Sequence, residues 1–169
     1  MTYEIIKQLV TSLLLSRIDC CNSLLLGLSA SNLAPLQRVQ NVATLPFLKL
    51  DHRTPVKPAL QRLHWLPAKA WIEFKIATLM HAIHHQRGPA YLSNMVQFNT
   101  AESGRRRLRS ATTNAAFVVR TWTQFGKRAF SDCGPSIWNQ IPPHIRNLHS
   151  APAFRKALNT HLFLQLSTL

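Results

Sequence analysis

The clearest pattern in the chain is a set of apolar residues repeating at helical spacing, separated by proline and polar breaks. Ile5, Ile6, Leu9, Val10, Leu13 and Leu14 form one stripe, predicting a helix over 3–18. Asp19 to Asn22 reads as a turn or a new cap. Ser31 can cap a second helix that buries Leu33, Leu36, Val39 and Val42 and stops at Pro46, whose ring removes a donor and crowds the preceding turn. Thr54-Pro55 is a third start, burying Val56, Ala59, Leu60 and Leu63. Pro67 opens the strongest helix. Ile72, Ile76, Leu79 and Ile83 share one face, Lys69, Glu73 and Lys75 are offset from it, and Gly88-Pro89 ends it. A short segment, Tyr91 to Val96, follows.

Residues 97–114 are polar and read as an exposed basic linker. Beyond it, Ala116 to Arg120 and Lys127 to Ser131 read as short strands, Gly134-Pro135 as a turn and Ile137-Trp138 as an apolar anchor. Ser150 then caps a last helix with Phe154, Leu158 and Leu162 on one face. The expected fold is mainly α: a small helical bundle over 1–96, the basic linker over 97–114, and a small mixed segment over 115–169 with short strands and a terminal helix.

Charge adds a partner class to this picture. Lys and Arg number 20 against 6 acidic residues, a formal net charge of +14. Residues 86–169 hold 11 basic and 2 acidic residues, net +9. That excess favours a polyanion, RNA or DNA, met through phosphate contacts. An acidic protein partner or a membrane surface, and a passive basic surface, are the alternatives. The densest positive run is Arg105, Arg106, Arg107 and Arg109, which also suits a solvated linker or a nuclear-import signal. Lys127, Arg128, Arg155 and Lys156 are further candidates.

Candidate chemistry is sparse. The six acids stand at least 15 residues apart in sequence, so no local carboxylate cluster offers to hold catalytic cations. The five glycines form no phosphate-cradling loop. His81, His84 and His85 have no cysteine pair nearby at zinc spacing and read as solvated side chains at a helix C-terminus, where the dipole favours positive charge. Cys20 and Cys21 are adjacent and Cys133 stands apart, an odd count that suits a reducing compartment. Leu9 to Leu15 lies between Glu4 and Arg17 and reads as core rather than leader, and no apolar run reaches the roughly 18 residues of a spanning helix. Trp65 and Trp138 read as packing residues, while Trp71 and Trp122 sit in more polar surroundings. No enzyme activity, cofactor, metal, small-molecule substrate or membrane partner is expected, and the location is nucleus and cytoplasm.

Several motifs together resemble one family. They are Ser16-Arg-Ile-Asp-Cys-Cys-Asn-Ser-Leu-Leu-Leu-Gly-Leu28, Leu36-Gln-Arg-Val-Gln-Asn41, Leu63-His-Trp-Leu-Pro67 with Ile72-Glu-Phe-Lys75, and Pro89-Ala-Tyr-Leu92. Phe125-Gly-Lys-Arg-Ala-Phe130, Gly134-Pro-Ser-Ile-Trp-Asn139 and Phe154-Arg-Lys-Ala-Leu-Asn-Thr-His-Leu-Phe163 continue the series. In this order they resemble the C-terminal, thumb and post-thumb region of a LINE-type non-LTR retrotransposon reverse transcriptase. The resemblance implies a region that helps hold template RNA and target DNA. It carries over no catalytic residue, because the family's endonuclease and its Asp-Asp palm motif lie N-terminal to this stretch. The chain departs from the family pattern at Cys20, at Val42-Ala-Thr-Leu45, and at Trp71 and Trp122, where arginine is common. The alternative function is a helical protein-interaction module, or the product of a decayed element without a role.

Overall fold

The computed structural model describes residues 5, 8, 10–20, 22–48, 55–99 and 114–167. The chain is mainly helical. A π-helical turn, Val10–Leu15, runs into α1 (Ser16–Asp19), and a 3-10 turn, Asn22–Leu25, leads to α2 (Ala30–Leu48). Then follow α3 (Val56–Arg62), α4 (Ala68–His84), α5 (Ala90–Ser93), a 3-10 turn at Gly126–Arg128, α6 (Phe130–Gln140), α7 (Pro143–Arg146) and α8 (Ala151–Ser167). Two compact units divide the chain, Met1–Ile72 and Glu73–Leu169. The division falls inside α4, upstream of the boundary the polar composition of 97–114 suggests.

In the first unit, the stripe expected of the leading helix is only partly used. Val10 is buried, Ile5 and Leu13 are exposed, and Ile6, Leu9 and the Leu14 side chain lie outside the described residues. Val10 and Ala43 form a small core against which Leu48, Leu63 and Trp65 pack. Trp65 thus packs as expected, fixing the approach to α4.

Helix α2 departs from its expected register in three ways. Its cap is Ser29, whose carbonyl accepts from Asn32 and Leu33 at 3.0 and 3.1 Å and whose hydroxyl bonds to Ser31 at 2.8 Å. Its buried residues are Leu33, Gln40, Ala43, Thr44 and Leu45, while Val39 and Val42 stay 43% and 61% exposed. It also continues through Pro46 to Leu48, past the residue at which the sequence pattern places its stop. Two side-chain amides select the buried face. Gln40 Nε2 donates to the Leu66 carbonyl at 2.8 Å, and Gln37 Oε1 accepts from the Ala68 N–H at 2.9 Å. That N–H opens α4 and has no partner within its own helix, so Gln37 satisfies it from outside.

Helices α3 and α4 follow the periodic reading. Ala59 and Leu60 are buried, as are Ile72, Ile76 and Ile83. Both helices end in the same hydrogen-bond pattern. After α3, Trp65 N–H donates to Leu60 O at 2.9 Å and His64 N–H to Gln61 O at 3.1 Å. After α4, Arg87 N–H donates to Ala82 O at 2.8 Å and Gln86 N–H to Ile83 O at 3.0 Å. This is the Schellman arrangement, and it places His64 and Gln86 at φ 54, where a side chain is strained and glycine is not. Gln86 is exposed. Gln86→Gly is therefore expected to stabilise the protein by about 0.5–1 kcal/mol, against the usual cost of an added glycine. Thermal unfolding of the two proteins checks this, and a lower Tm for the glycine variant would contradict the strain argument.

The second unit corrects four expectations. Residues 97–99 and 114 are not free linker. Phe98 and Ala116 form an antiparallel bridge, with Asn99 N–H to Ala115 O at 2.8 Å and Phe117 N–H to Gln97 O at 2.7 Å. Residues 100–113, the heart of the expected linker, lie outside the described residues. Ala116 to Arg120 forms no strand beyond that isolated bridge. Its edge is held by a side chain instead, since Asn139 accepts from Ala116 N–H at 2.9 Å and donates to Ala116 O at 2.8 Å. Lys127 to Ser131 is a 3-10 turn running into α6, not a strand, because Thr123 accepts through its hydroxyl from Gly126 N–H at 2.9 Å and through its carbonyl from Lys127 N–H at 3.1 Å.

Gly134 and Pro135 lie buried inside α6 rather than in a turn. A Cβ on Gly134 would stand 3.0 Å from Met80 Sδ and 3.3 Å from the Phe130 ring, a tight fit that the bare glycine avoids. The terminal helix follows its expected face, with Phe154, Leu158 and Leu162 all buried and Phe154 N–H donating to Ser150 O at 2.9 Å.

Candidate nucleic-acid interface

The basic residues singled out from sequence fall into two groups. Arg105, Arg106, Arg107 and Arg109 lie outside the described residues. Lys127 and Arg128 sit in the 3-10 turn before α6, and Arg155 and Lys156 sit in the early turns of α8, all four exposed. Asp132, the acid nearest in sequence to the first pair, is buried and accepts from the Thr121 hydroxyl and, at 3.4 Å, from the Ser136 hydroxyl. Its charge is turned into the fold.

Ahead of the Lys127-Arg128 turn runs a segment whose apolar side chains face water. Phe117, Val118 and Val119 are exposed, and Trp122 and Phe125 are 88% and 83% exposed. Arg120 places its guanidinium carbon 5.8 Å from the centre of the Trp122 ring, within cation–π range. The polar, threonine-rich neighbourhood of Trp122 was the one sequence signal for this exposure. Nothing local distinguishes Phe125 from a core residue.

The histidines are not solvated at a helix end. His81 is buried. Its Nε2–H donates to the Leu148 carbonyl at 2.7 Å, and its ring stacks on Phe154 with centroids 4.2 Å apart. His84 packs against Trp138 at 5.7 Å and edge-on to Phe98 at 4.9 Å, and His85 lies 5.3 Å from His149. A neutral imidazole is an aromatic ring with one donor, and here it is used as one. Burial pushes all three imidazoles below their ordinary value, and the neighbouring histidines and arginines push the same way. Arg146 is also buried, with no hydrogen-bond partner for Nε or Nη1, and burial lowers its proton affinity.

Among the described residues, no three His, Cys, Asp or Glu side chains converge on a metal position. Burial raises the Cys133 thiol, which makes it a poor nucleophile. A shallow cleft lined by Glu73, Ile137, His161 and Gln165 measures about 40 Å³, far below the roughly 300 Å³ at which ligand pockets begin. Among the described residues, no helix is long and apolar enough to cross a membrane. No protein-family model, curated protein or solved structure matches the chain.

Proposed function

We propose that this chain is a non-catalytic nucleic-acid-binding fragment, the C-terminal part of a LINE-type reverse transcriptase, which grips phosphate backbones without reading sequence. The observation that carries the reading is the excess of 20 cations over 6 acids, concentrated as net +9 over residues 86–169. A surface so poorly neutralised gains by releasing counterions from a polyanion. The exposed Lys127, Arg128, Arg155 and Lys156 and the Arg105-Arg-Arg-Leu-Arg109 run supply the contacts, and the ordered motifs quoted above supply the family.

A salt titration tests it. Binding of RNA and of DNA of matched length should weaken linearly on a log–log plot against salt. Replacing Arg105, Arg106, Arg107 and Arg109 together by alanine should flatten that slope by roughly 2 to 4 units, at about 0.7 to 0.9 per lost phosphate contact. Unrelated sequences should lose affinity alike. An unchanged slope would make the arginine run a bystander. Absence of binding to either nucleic acid at low salt would end the reading.

A further inference from the structure

We infer that the loop carrying Trp122 and Phe125 is a stacking platform for unpaired bases, so that the ligand is single-stranded RNA or DNA in preference to duplex. This rests on the nucleic-acid reading above and narrows it to one substrate class.

A tryptophan or phenylalanine offers about 150–250 Å² of mostly apolar surface, which folding ordinarily buries. The second unit has an aromatic core of Phe98, Trp138 and Phe154, yet Trp122 and Phe125 remain 88% and 83% exposed. Asn139 clamps Ala116 on one side of the loop, the Thr121 hydroxyl bonds Asp132 on α6, and Thr123 closes the turn onto Gly126. The rings are held out on a braced loop, so little ordering cost falls on binding.

Arg120, Lys127 and Arg128 flank the rings, and all three are exposed. Arg120 lies over Trp122 at 5.8 Å, and the ring's remaining exposure leaves room for a base. Aromatic faces interleaved with cations are what single-strand binding needs: bases stack on the rings while phosphates meet the cations. A duplex keeps its bases stacked on one another and can use only the cations. An apolar protein surface or a second copy of this chain could cover the rings, but neither gains from the cation against Trp122 and the two exposed cations that follow Phe125 in sequence.

The experiment uses the full chain with an oligo-dT strand and a mixed-sequence duplex of equal length. The wild type should bind the strand more tightly and show quenching of tryptophan fluorescence. Trp122→Ala and Phe125→Ala should each weaken strand binding by about 5- to 100-fold. Duplex affinity and the salt slope should stay unchanged, since the cations remain. Trp122→Phe should recover most of the lost affinity. Both side chains are exposed, so circular dichroism should match the wild type. Equal affinity for strand and duplex, or variants that weaken both alike or neither, would overturn the platform and leave phosphate binding standing. Variants that abolish self-association but bind the strand normally would assign the rings to a protein interface and overturn it too. A wild type that binds neither ligand would overturn both this inference and the function it rests on.

Discussion

Replacing Trp138 by alanine is expected to destabilise the protein by about 3–5 kcal/mol, the usual range for a buried aromatic truncated in a core. Trp138 is fully buried on α6, beside Phe154 at 6.0 Å, Phe98 at 6.1 Å and His84 at 5.7 Å. Its indole N–H donates to the Asn114 carbonyl at 2.8 Å, so truncation also strands that acceptor, adding about 1 kcal/mol. A domain holds only about 5–15 kcal/mol of stability, so the loss would leave the second unit close to unfolding. Urea denaturation followed by far-UV circular dichroism measures it without relying on tryptophan emission. Trp138→Phe keeps most of the ring and removes the N–H, so it should cost markedly less than alanine. A loss below about 1 kcal/mol for Trp138→Ala would mean that the ring is not the centre of this core.

Acid is expected to destabilise the protein in the window just below pH 6.5. His81 and His84 are both held below their ordinary value of 6.5, first by burial. Around them stand further positive or protonatable groups: His85, Arg87 and Arg155 near His81, and His85, His149 and Arg146 near His84. The Leu148 carbonyl opposes the shift at His81 without reversing it. In the unfolded chain these histidines take protons near pH 6.5, while in the folded chain they take them only at lower pH. Over that interval the unfolded state binds more protons, so stability rises with pH. The contribution is complete above the unfolded value and is lost as pH falls from it towards the folded values. Each histidine contributes a slope of at most about 1.4 kcal/mol per pH unit. Denaturation midpoints at about pH 7.5 and about pH 5.5 should differ accordingly. His84→Phe should flatten the difference, because it removes one titrating ring and leaves a ring of similar size against Trp138. Equal or greater stability at the lower pH would contradict this account.

What the chain's own pattern determined is its helical character and the main buried positions of two long helices. In α4, Ile72, Ile76 and Ile83 recur at helical spacing among Lys69, Glu73 and Lys75. In α8, Phe154, Leu158 and Leu162 stand apart from Arg155 and Lys156. In both, these apolar residues recur at helical spacing and the fold buries them. Net charge was equally plain, because it is a sum over residues and needs no fold. Helix α2 is apolar on several sides, so periodicity alone could not choose a face. The choice fell to Gln37 and Gln40 reaching the turn before α4, which left Val39 and Val42 outside.

Gly134-Pro135 carries strong local turn signals, yet the tight approach of Met80 and Phe130 accommodates the pair inside α6. Local propensities of about 1–3 kcal/mol yield to that packing. The histidines at the end of α4 could be solvated side chains or packing rings, and only Phe154, Trp138 and the Leu148 carbonyl draw His81 and His84 into the second role. Trp122 and Phe125 differ from Trp138 only in surroundings. The threonine-braced loop holds them out, while α6 carries Trp138 in, because burial depends on the position of a residue's support and not on its hydrophobicity alone.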